Sequence, residues 1–155
     1  MTKTIDFNDL STGTIVDNEY TSQGVTITSW TPEGDNRAMI FDSSNPTGGD
    51  YDLATNNLGK VLILSEDRDS HDPDDEADGG KISFNFHEEA DVKSLTFLDV
   101  EEGAEVKFYD EHGNLLATKW VETANNGQHV ANFNVEGVAR MDVHLCGSGA
   151  IDNLV

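Results

Sequence analysis

Three observations predict an all-β fold for this chain, an antiparallel β-sandwich with jelly-roll-like architecture. Apolar and polar residues alternate with period two along most of the sequence, helical periodicity is nearly absent, and turn residues recur every ~8–12 residues. The length of 155 residues is that of one domain. Residues 1–155 are therefore predicted to form a single module.

The strands follow in order from the alternation. Residues 24–30 place Val25 and Ile27 on one face and so form the first strand. Val61–Leu64 is continuously apolar, which is typical of a central strand covered on both faces. Asp110–Gly113 separates two alternating segments and is predicted to be a hairpin turn. The remaining alternating segments, each predicted to be a strand, are 81–86, 92–100, 106–109, 115–120, 129–133 and 138–145.

The longest segments without a predicted strand, Asp42–Lys60 and Glu66–Gly80, are also where the acidic residues cluster. Within the second of these, Glu66–Asp78 contains eight carboxylates in thirteen residues. So many anions in one folded loop repel each other unless cations lie among them. Carboxylate, amide and backbone oxygens are the ligands of Ca²⁺, which takes about six to eight of them. The segments are therefore predicted to be long loops that bind several Ca²⁺ ions, and the alternative is a disordered acidic segment.

The predicted metal ligands are the acidic and amide side chains of the two segments: Asp42, Asn45, Asp50, Asp52, Glu66, Asp67, Asp69, Asp72, Asp74, Asp75 and Asp78. Asp50 and Asp52 are two residues apart and point to opposite sides of an extended chain, so one of them can share an ion with the other loop. The alternative for this loop is an ordinary Asx turn. Residues predicted to contact a bound ligand are Asp50, Tyr51, Asp67, Asp69 and Asp72.

The two ends of the chain resemble each other in sequence. Ile5–Leu10 and Ile151–Leu154 both alternate acidic or amide residues with apolar ones. We expect the ends to lie side by side, with Asp9 and Asp152 holding a structural ion. Capping and turn roles for these two acids are the alternative.

The charge of the chain excludes several classes of partner. Thirty acidic residues against nine basic ones give a formal net charge of −21. Such a field repels nucleic acid and anionic membranes and attracts divalent cations, although an acidic surface also serves solubility alone. No apolar segment approaches the ~18 residues that cross a membrane, so membrane insertion is not expected.

The sequence contains no catalytic motif that we recognise. Its single cysteine, Cys146, excludes a disulfide framework and has no basic neighbour that would activate the thiol. The five histidines lack the spacing of a zinc site. We therefore expect a protein without enzymatic activity and without catalytic residues.

Several sequence segments resemble one known family. They are A-M-I-F-D-S-S-N-P-T-G-G-D-Y-D-L, V-L-I-L-S-E-D, D-P-D-D-E-A-D-G-G-K-I-S-F-N-F and G-S-G-A-I-D-N-L. Together they resemble the calcium-dependent, peptide-binding β-sandwich module of large RTX-type bacterial adhesins. The resemblance implies capture of a peptide through its C-terminal carboxylate at a surface Ca²⁺. It also implies an extracellular, monomeric module of a longer exported chain on a bacterial surface.

Two other functions remain open at this point. A carbohydrate-binding module would use sugar hydroxyls to complete an exposed Ca²⁺ and would add a stacking ring, for which Trp30 and Tyr51 are candidates, although Trp30 also suits the core. A structural extender domain would hold closed ions that serve only rigidity. For the peptide-binding and the carbohydrate-binding functions, the expected partner is a peptide or a glycan on a host or partner cell surface.

Overall fold

The computed structural model describes residues 2–155 and shows an all-β protein, as the sequence predicts. Its nine strands are β1 Val25–Thr31, β2 Gly34–Asp35, β3 Ala38–Asp42, β4 Lys60–Leu64, β5 Gly80–Leu98, β6 Ala104–Tyr109, β7 Leu115–Val121, β8 Gln128–Leu145 and β9 Ala150–Asp152. All pairings between them are antiparallel. The helical content described is two single 3-10 turns, Thr21–Gln23 and Tyr51–Leu53.

The two longest strands, β5 and β8, form a ribbon that runs through both layers of a β-sandwich. They pair from Gly80 with Leu145 to Leu98 with Gln128, with register shifts between Asn85 and Ser94. The first half of β5 pairs with β1, and its last residues pair with β9. The first sheet therefore has the order β2-β1-β5-β8-β6-β7, and the second has the order β3-β4-β9-β5-β8. This arrangement confirms the predicted antiparallel sandwich.

The main core lies between the two sheets, where alternate side chains of each face inward. Phe133 of β8 shows how the layers meet. Its ring contacts Phe97 edge-on with centroids 6.4 Å apart, and it contacts Phe108 of the first sheet at 5.0 Å. Such edge-to-face contacts add to the free energy gained from burying the rings.

A second, smaller core covers the outer face of the second sheet. Val61 and Ile63 of β4 pack there with Leu53 and Leu58, which belong to the loop between β3 and β4. Leu62 and Leu64 face the main core. The prediction that this strand is covered on both faces is confirmed, and the packing fixes the loop on the sheet.

Two pairs of predicted strands are each one continuous strand in the structure. Residues 81–86 and 92–100 belong to β5, and 129–133 and 138–145 belong to β8. The alternation fails between them because the ribbon contains bulges, where an extra residue shifts the faces. The predicted end at residue 100 is also wrong, since β5 ends at Leu98.

The chain ends pair with each other, as expected from their similar sequences. The backbone N–H of Ile5 donates to Leu154 at 2.9 Å, and the N–H of Leu154 donates back to Ile5 at 3.0 Å. Across residues 2–155, helices of the length and apolarity that a membrane crossing requires do not occur.

Candidate cation-binding site

The two acidic loops lie against each other, although they leave β4 at its opposite ends, Lys60 and Leu64. We name Ser43–Gly59 the first acidic loop and Ser65–Gly79 the second acidic loop. The amide of Gly48 donates to Asp72 Oδ1 at 2.9 Å, and the hydroxyl of Thr47 donates to the carbonyl of Pro73 at 2.6 Å. A third bond runs from the amide of Asp75 to Asp50 Oδ2 at 2.7 Å. Acids that are up to 25 residues apart in sequence are thereby brought together.

The second acidic loop is folded onto the end of β4. Ser65 and Asp75 form an isolated β-bridge, and the amide of Glu76 donates to the carbonyl of Leu64 at 2.7 Å. The amide of Gly149 donates to Asp75 Oδ2 at 2.8 Å, which ties the loop to the segment before β9. The loop is therefore held at both ends and at its centre, in contrast to the disordered alternative.

Two carboxylate oxygens in this loop are buried without a hydrogen-bond partner. They are Asp74 Oδ1 and Glu76 Oε2. Glu76 is only 5% exposed, and its other oxygen accepts the amide of Asp78 at 3.1 Å. A buried anionic oxygen without a donor is costly because it has lost its water. The arrangement fits a cation, which would supply the missing partner.

Three acids of the loops, Asp50, Asp74 and Asp75, have a pKa above that of free aspartate. Burial raises the pKa of Asp74 to about 6, and the charges of Asp67 and Glu66 add to the effect. Burial and the neighbouring charge of Asp50 raise the pKa of Asp75 to about 8. Burial also raises the pKa of Asp50, although the hydrogen bond from the Asp75 amide opposes it. In the absence of cations, the loops therefore carry more negative charge than they accommodate well.

Other predicted ligands lie at the surface in local turns. Asp67 Oδ1 accepts the amide of Asp69 at 2.8 Å, and Asp69 Oδ1 accepts the amide of His71 at 2.9 Å. Asp42 Oδ1 likewise accepts the amide of Ser44 at 3.0 Å. These are Asx turns, and each carboxylate keeps a further oxygen. Asp42 is half-buried, and the exposed side chains are Asn45, Glu66, Asp67, Asp69, Asp72 and Asp78. The role of all seven as metal ligands remains a prediction.

The two acids predicted at the chain ends have different neighbours. Asp9 Oδ1 accepts the hydroxyl of Tyr20 at 2.7 Å. Asp152 is almost fully buried and accepts the amide of Asn153 at 2.8 Å. Burial raises the pKa of Asp152 to about 7, and the nearby charge that adds to it belongs to Asp6. An ion held by Asp9 and Asp152 remains a prediction, and Asp6 is an acid near Asp152 that the sequence did not indicate.

The two candidate rings are both exposed but lie on different surfaces. Tyr51 is 75% exposed at the edge of the first acidic loop, and Trp30 is 47% exposed at the end of β1. The alternative placing of Trp30 in the core is wrong. Trp30 lines a groove of about 960 Å³ across the outer face of the first sheet, whose other lining side chains include Lys81, Lys107, Tyr109, Asp142 and His144.

One carboxylate cluster was missed by the sequence reasoning except for its first member. Among residues 2–155, Asp52, Asp99 and Glu101 form one set of three acids whose ligand oxygens lie within 4.8 Å of one another. Asp99 lies in the predicted strand 92–100. An acidic residue in an alternating strand is interpreted as facing the solvent, so Asp99 was not considered as a buried ligand. The one signal was an acid directly after the apolar pair Phe97-Leu98.

No protein-family profile matches the chain, and no curated protein matches it. Solved structures with a similar fold include the lectin domain of lectinolysin complexed with Lewis B antigen, with 11% identity and a TM-score of 0.38 over 50% of this chain and 62% of that one. A Streptococcus pneumoniae fucose-binding module has 19% identity and a TM-score of 0.44 over 84% of each chain. A family 29 carbohydrate-binding module has 10% identity and a TM-score of 0.46 over 85% of this chain and 80% of that one. The chain thus spans less than two thirds of the lectinolysin domain, and no ligand follows from likeness at this level.

Proposed function

We propose that this protein is a non-enzymatic, calcium-dependent binding module that captures a ligand at the acidic loops. The observation that carries the proposal is that the two loops are hydrogen-bonded to each other and that the second one contains the unpartnered buried oxygens of Asp74 and Glu76. The carboxylates of the two loops offer only oxygen ligands, which is the ligand chemistry of Ca²⁺. Bound Ca²⁺ would neutralise the loops and offer a positive charge to an incoming group. Asp50, Asp74, Asp75 and Glu76 are the side chains best placed to hold it.

The ligand that we propose is a peptide bound through its free C-terminal carboxylate, on the surface of a host or partner cell. A net charge of −21 repels such an anion unless a metal reverses the local field. Beside the convergent acids, Asp67, Asp69 and Asp72 lie at the surface, and the exposed ring of Tyr51 offers apolar contact area. On the basis of the sequence resemblance to adhesin modules, we propose that this activity is located on the outside of a bacterium, within a longer chain.

A second candidate function, carbohydrate binding, is favoured by the groove on the first sheet. Exposed Trp30 offers a stacking face there, and Tyr109 lies under the guanidinium of Arg140, whose Cζ is 4.2 Å from the ring centroid. The groove also contains lysine, histidine and carboxylate side chains that can hydrogen-bond to sugar hydroxyls. This function would use the outer face of the first sheet and not the acidic loops.

A single set of binding measurements tests both candidates. We would titrate short peptides with free and amidated C-termini, and a glycan array, with Ca²⁺ and with EGTA. We expect peptide binding only with Ca²⁺, and a loss of at least ~100-fold on amidation, which is about 2.7 kcal/mol. Tyr51→Ala should weaken peptide binding, whereas Trp30→Ala should leave it unchanged.

The opposite results have clear meanings. Glycan binding that Trp30→Ala abolishes, without any peptide preference, would show the carbohydrate-binding function. Ca²⁺-dependent stability without any ligand would show a structural extender domain. Thermal melts that coincide in Ca²⁺ and EGTA would remove the calcium-dependent proposal, because ligand binding to the native state alone stabilises by about 4 kcal/mol at a thousand-fold excess over Kd.

A further inference from the structure

Three carboxylates meet where the first acidic loop packs against the end of β5. Asp52 belongs to the 3-10 turn Tyr51–Leu53, and Asp99 and Glu101 follow the last residue of β5. One ligand oxygen from each lies within 4.8 Å of one from each of the others. Within residues 2–155, none of the three forms an ion pair with a lysine, arginine or histidine. Three like charges are therefore close together without a protein cation.

Asp99 is the member of this cluster that most requires a partner. Its side chain is fully buried, and its Oδ1 accepts the amide of Asn126 at 2.7 Å. Its Oδ2 is buried and has no hydrogen-bond donor. The nearby carboxylate of Asp52 is an acceptor when ionised and so cannot satisfy it. The position thus needs either a proton shared between Asp52 and Asp99 or a cation.

The backbone around the cluster is fixed by Asn126. The side-chain amide of Asn126 donates to the carbonyl oxygens of Asp52 and Ala54. The same residue binds Asp99 through its main chain, so it connects the turn to the end of β5. The backbone of Asp52 and the carboxylate of Asp99 are consequently held in place by Asn126. Such preorganisation is expected of a binding site for a cation.

We propose that Asp52, Asp99 and Glu101 form a Ca²⁺ site that fastens the first acidic loop to the end of β5. Only oxygens are available, which disfavours zinc and copper, and three carboxylates can supply up to about six ligand oxygens. Glu101 is exposed, so the ion can enter from solvent and is not sealed in during folding. The proposal assigns this site an ion other than the one near Asp74 and Glu76, and it does not require that the acidic loops bind a ligand.

The test is a calcium titration of the chelator-treated protein by isothermal calorimetry, with matched variants. We expect Asp99→Asn to remove one equivalent of bound Ca²⁺ and Glu101→Gln to weaken one site by at least ~10-fold. The control is Glu102→Gln, the same change in an exposed carboxylate one residue further on, and it should bind as the parent protein does. Because Glu101 is exposed, its variant will fold even if the Asp99 variant does not.

A second comparison separates this site from the acidic-loop site. Asp74→Asn should remove a different equivalent of Ca²⁺, and the double variant Asp74→Asn with Asp99→Asn should lose both. The proposal is overturned if Glu101→Gln retains the parent stoichiometry and affinity, which would indicate a shared proton. It is also overturned if Asp74→Asn and Asp99→Asn remove the same single equivalent. If this Ca²⁺ site is disproved, the peptide and glycan binding results are unaffected. The proposed site and the proposed binding function can therefore be disproved independently.

Discussion

Gly48 allows the two acidic loops to approach each other closely. Its φ is +66°, and an added Cβ would lie 2.3 Å from the Cβ of Asp74. The next residue, Gly49, has a φ of +85° and open space around the same position. The pair therefore separates the effect of the left-handed backbone from the effect of the contact with Asp74.

We expect Gly48→Ala to weaken Ca²⁺ binding and Gly49→Ala to leave it unchanged. Both variants lose about 1–2 kcal/mol because alanine is strained at positive φ. Only Gly48→Ala must also displace Asp74, which should cost a further ~1–3 kcal/mol. Urea denaturation and calcium titration measure the two effects. If both variants lose the same amount of stability and of Ca²⁺ affinity, the contact between Gly48 and Asp74 does not contribute to Ca²⁺ binding.

Glu76→Gln should stabilise the protein without calcium and should reduce the stabilisation that calcium provides. The substitution removes a buried charge whose Oε2 has no partner, so the EGTA-treated protein should gain about 1–3 kcal/mol. In millimolar Ca²⁺ the variant should instead gain less stability from the ion than the parent protein does. The control is Glu88→Gln, at an exposed acid on β5. It should change neither the stability in EGTA nor the stabilisation by Ca²⁺. A variant that gains as much stability from Ca²⁺ as the parent protein does would contradict a cation at Glu76.

The sequence indicated the two acidic segments, but it did not indicate which of their acids are buried. Asp74, Asp75 and Glu76 are consecutive acids that a composition argument treats like Asp67 and Asp69. Their burial depends on the bridge between Ser65 and Asp75 and on the bond from Gly149, which are contacts distant in sequence. Local sequence carries no information on such contacts.

The strand β8 joins the two sheets through Phe133, and this contact should carry a large part of the stability. Phe133→Ala removes edge-to-face contacts with Phe97 and Phe108 and leaves a cavity, so we expect a loss of about 3–5 kcal/mol. Val130 on the same strand is 52% exposed, and Val130→Ala should change stability by less than ~0.5 kcal/mol. Thermal denaturation in Ca²⁺ measures the stability of the two variants. Similar losses of stability in both would argue against the packing of Phe133 between the sheets.

The strands were predicted well where one face is buried and poorly where the ribbon bends. Residues 106–109 and 115–120 match β6 and β7 closely, and the turn between them is present with Gly113 at a φ of +80°. The strand Ala38–Asp42 was not predicted as such, because four of its five residues are buried and no alternation is visible. Continuous apolar segments do not reveal their secondary structure by periodicity.

For the molecule as a whole, we expect opposite pH dependences with and without calcium. The pKa values of Asp74, Asp75, Asp99 and Asp152 are raised to between about 6 and about 8. An unfolded aspartate has a pKa of about 3.9, so between these values the folded state binds more protons than the unfolded state. The free energy of unfolding in EGTA should therefore fall as the pH rises from about 4 to about 8.

Millimolar Ca²⁺ should remove or reverse this fall, because the ion binds the ionised carboxylates in competition with protons. Urea denaturation at several pH values, in EGTA and in Ca²⁺, measures both curves. Magnesium should substitute poorly, since it requires a tight octahedron and releases water reluctantly. A free energy of unfolding that does not change with pH in EGTA would contradict the burial of these four acids.

The pairing of the chain ends has a mechanical consequence. Ile5 and Leu154 are antiparallel neighbours, so both termini leave the protein at the same place. A tensile force applied to the two ends would open their hydrogen bonds one after another, as a zipper opens, and would not shear many bonds at once. The next element to be pulled is β9, which has only three residues between β4 and β5. When the protein is stretched by its termini, we expect low rupture forces, with the C-terminal segment detaching from Ile5 and from β5 before the β5–β8 ribbon separates.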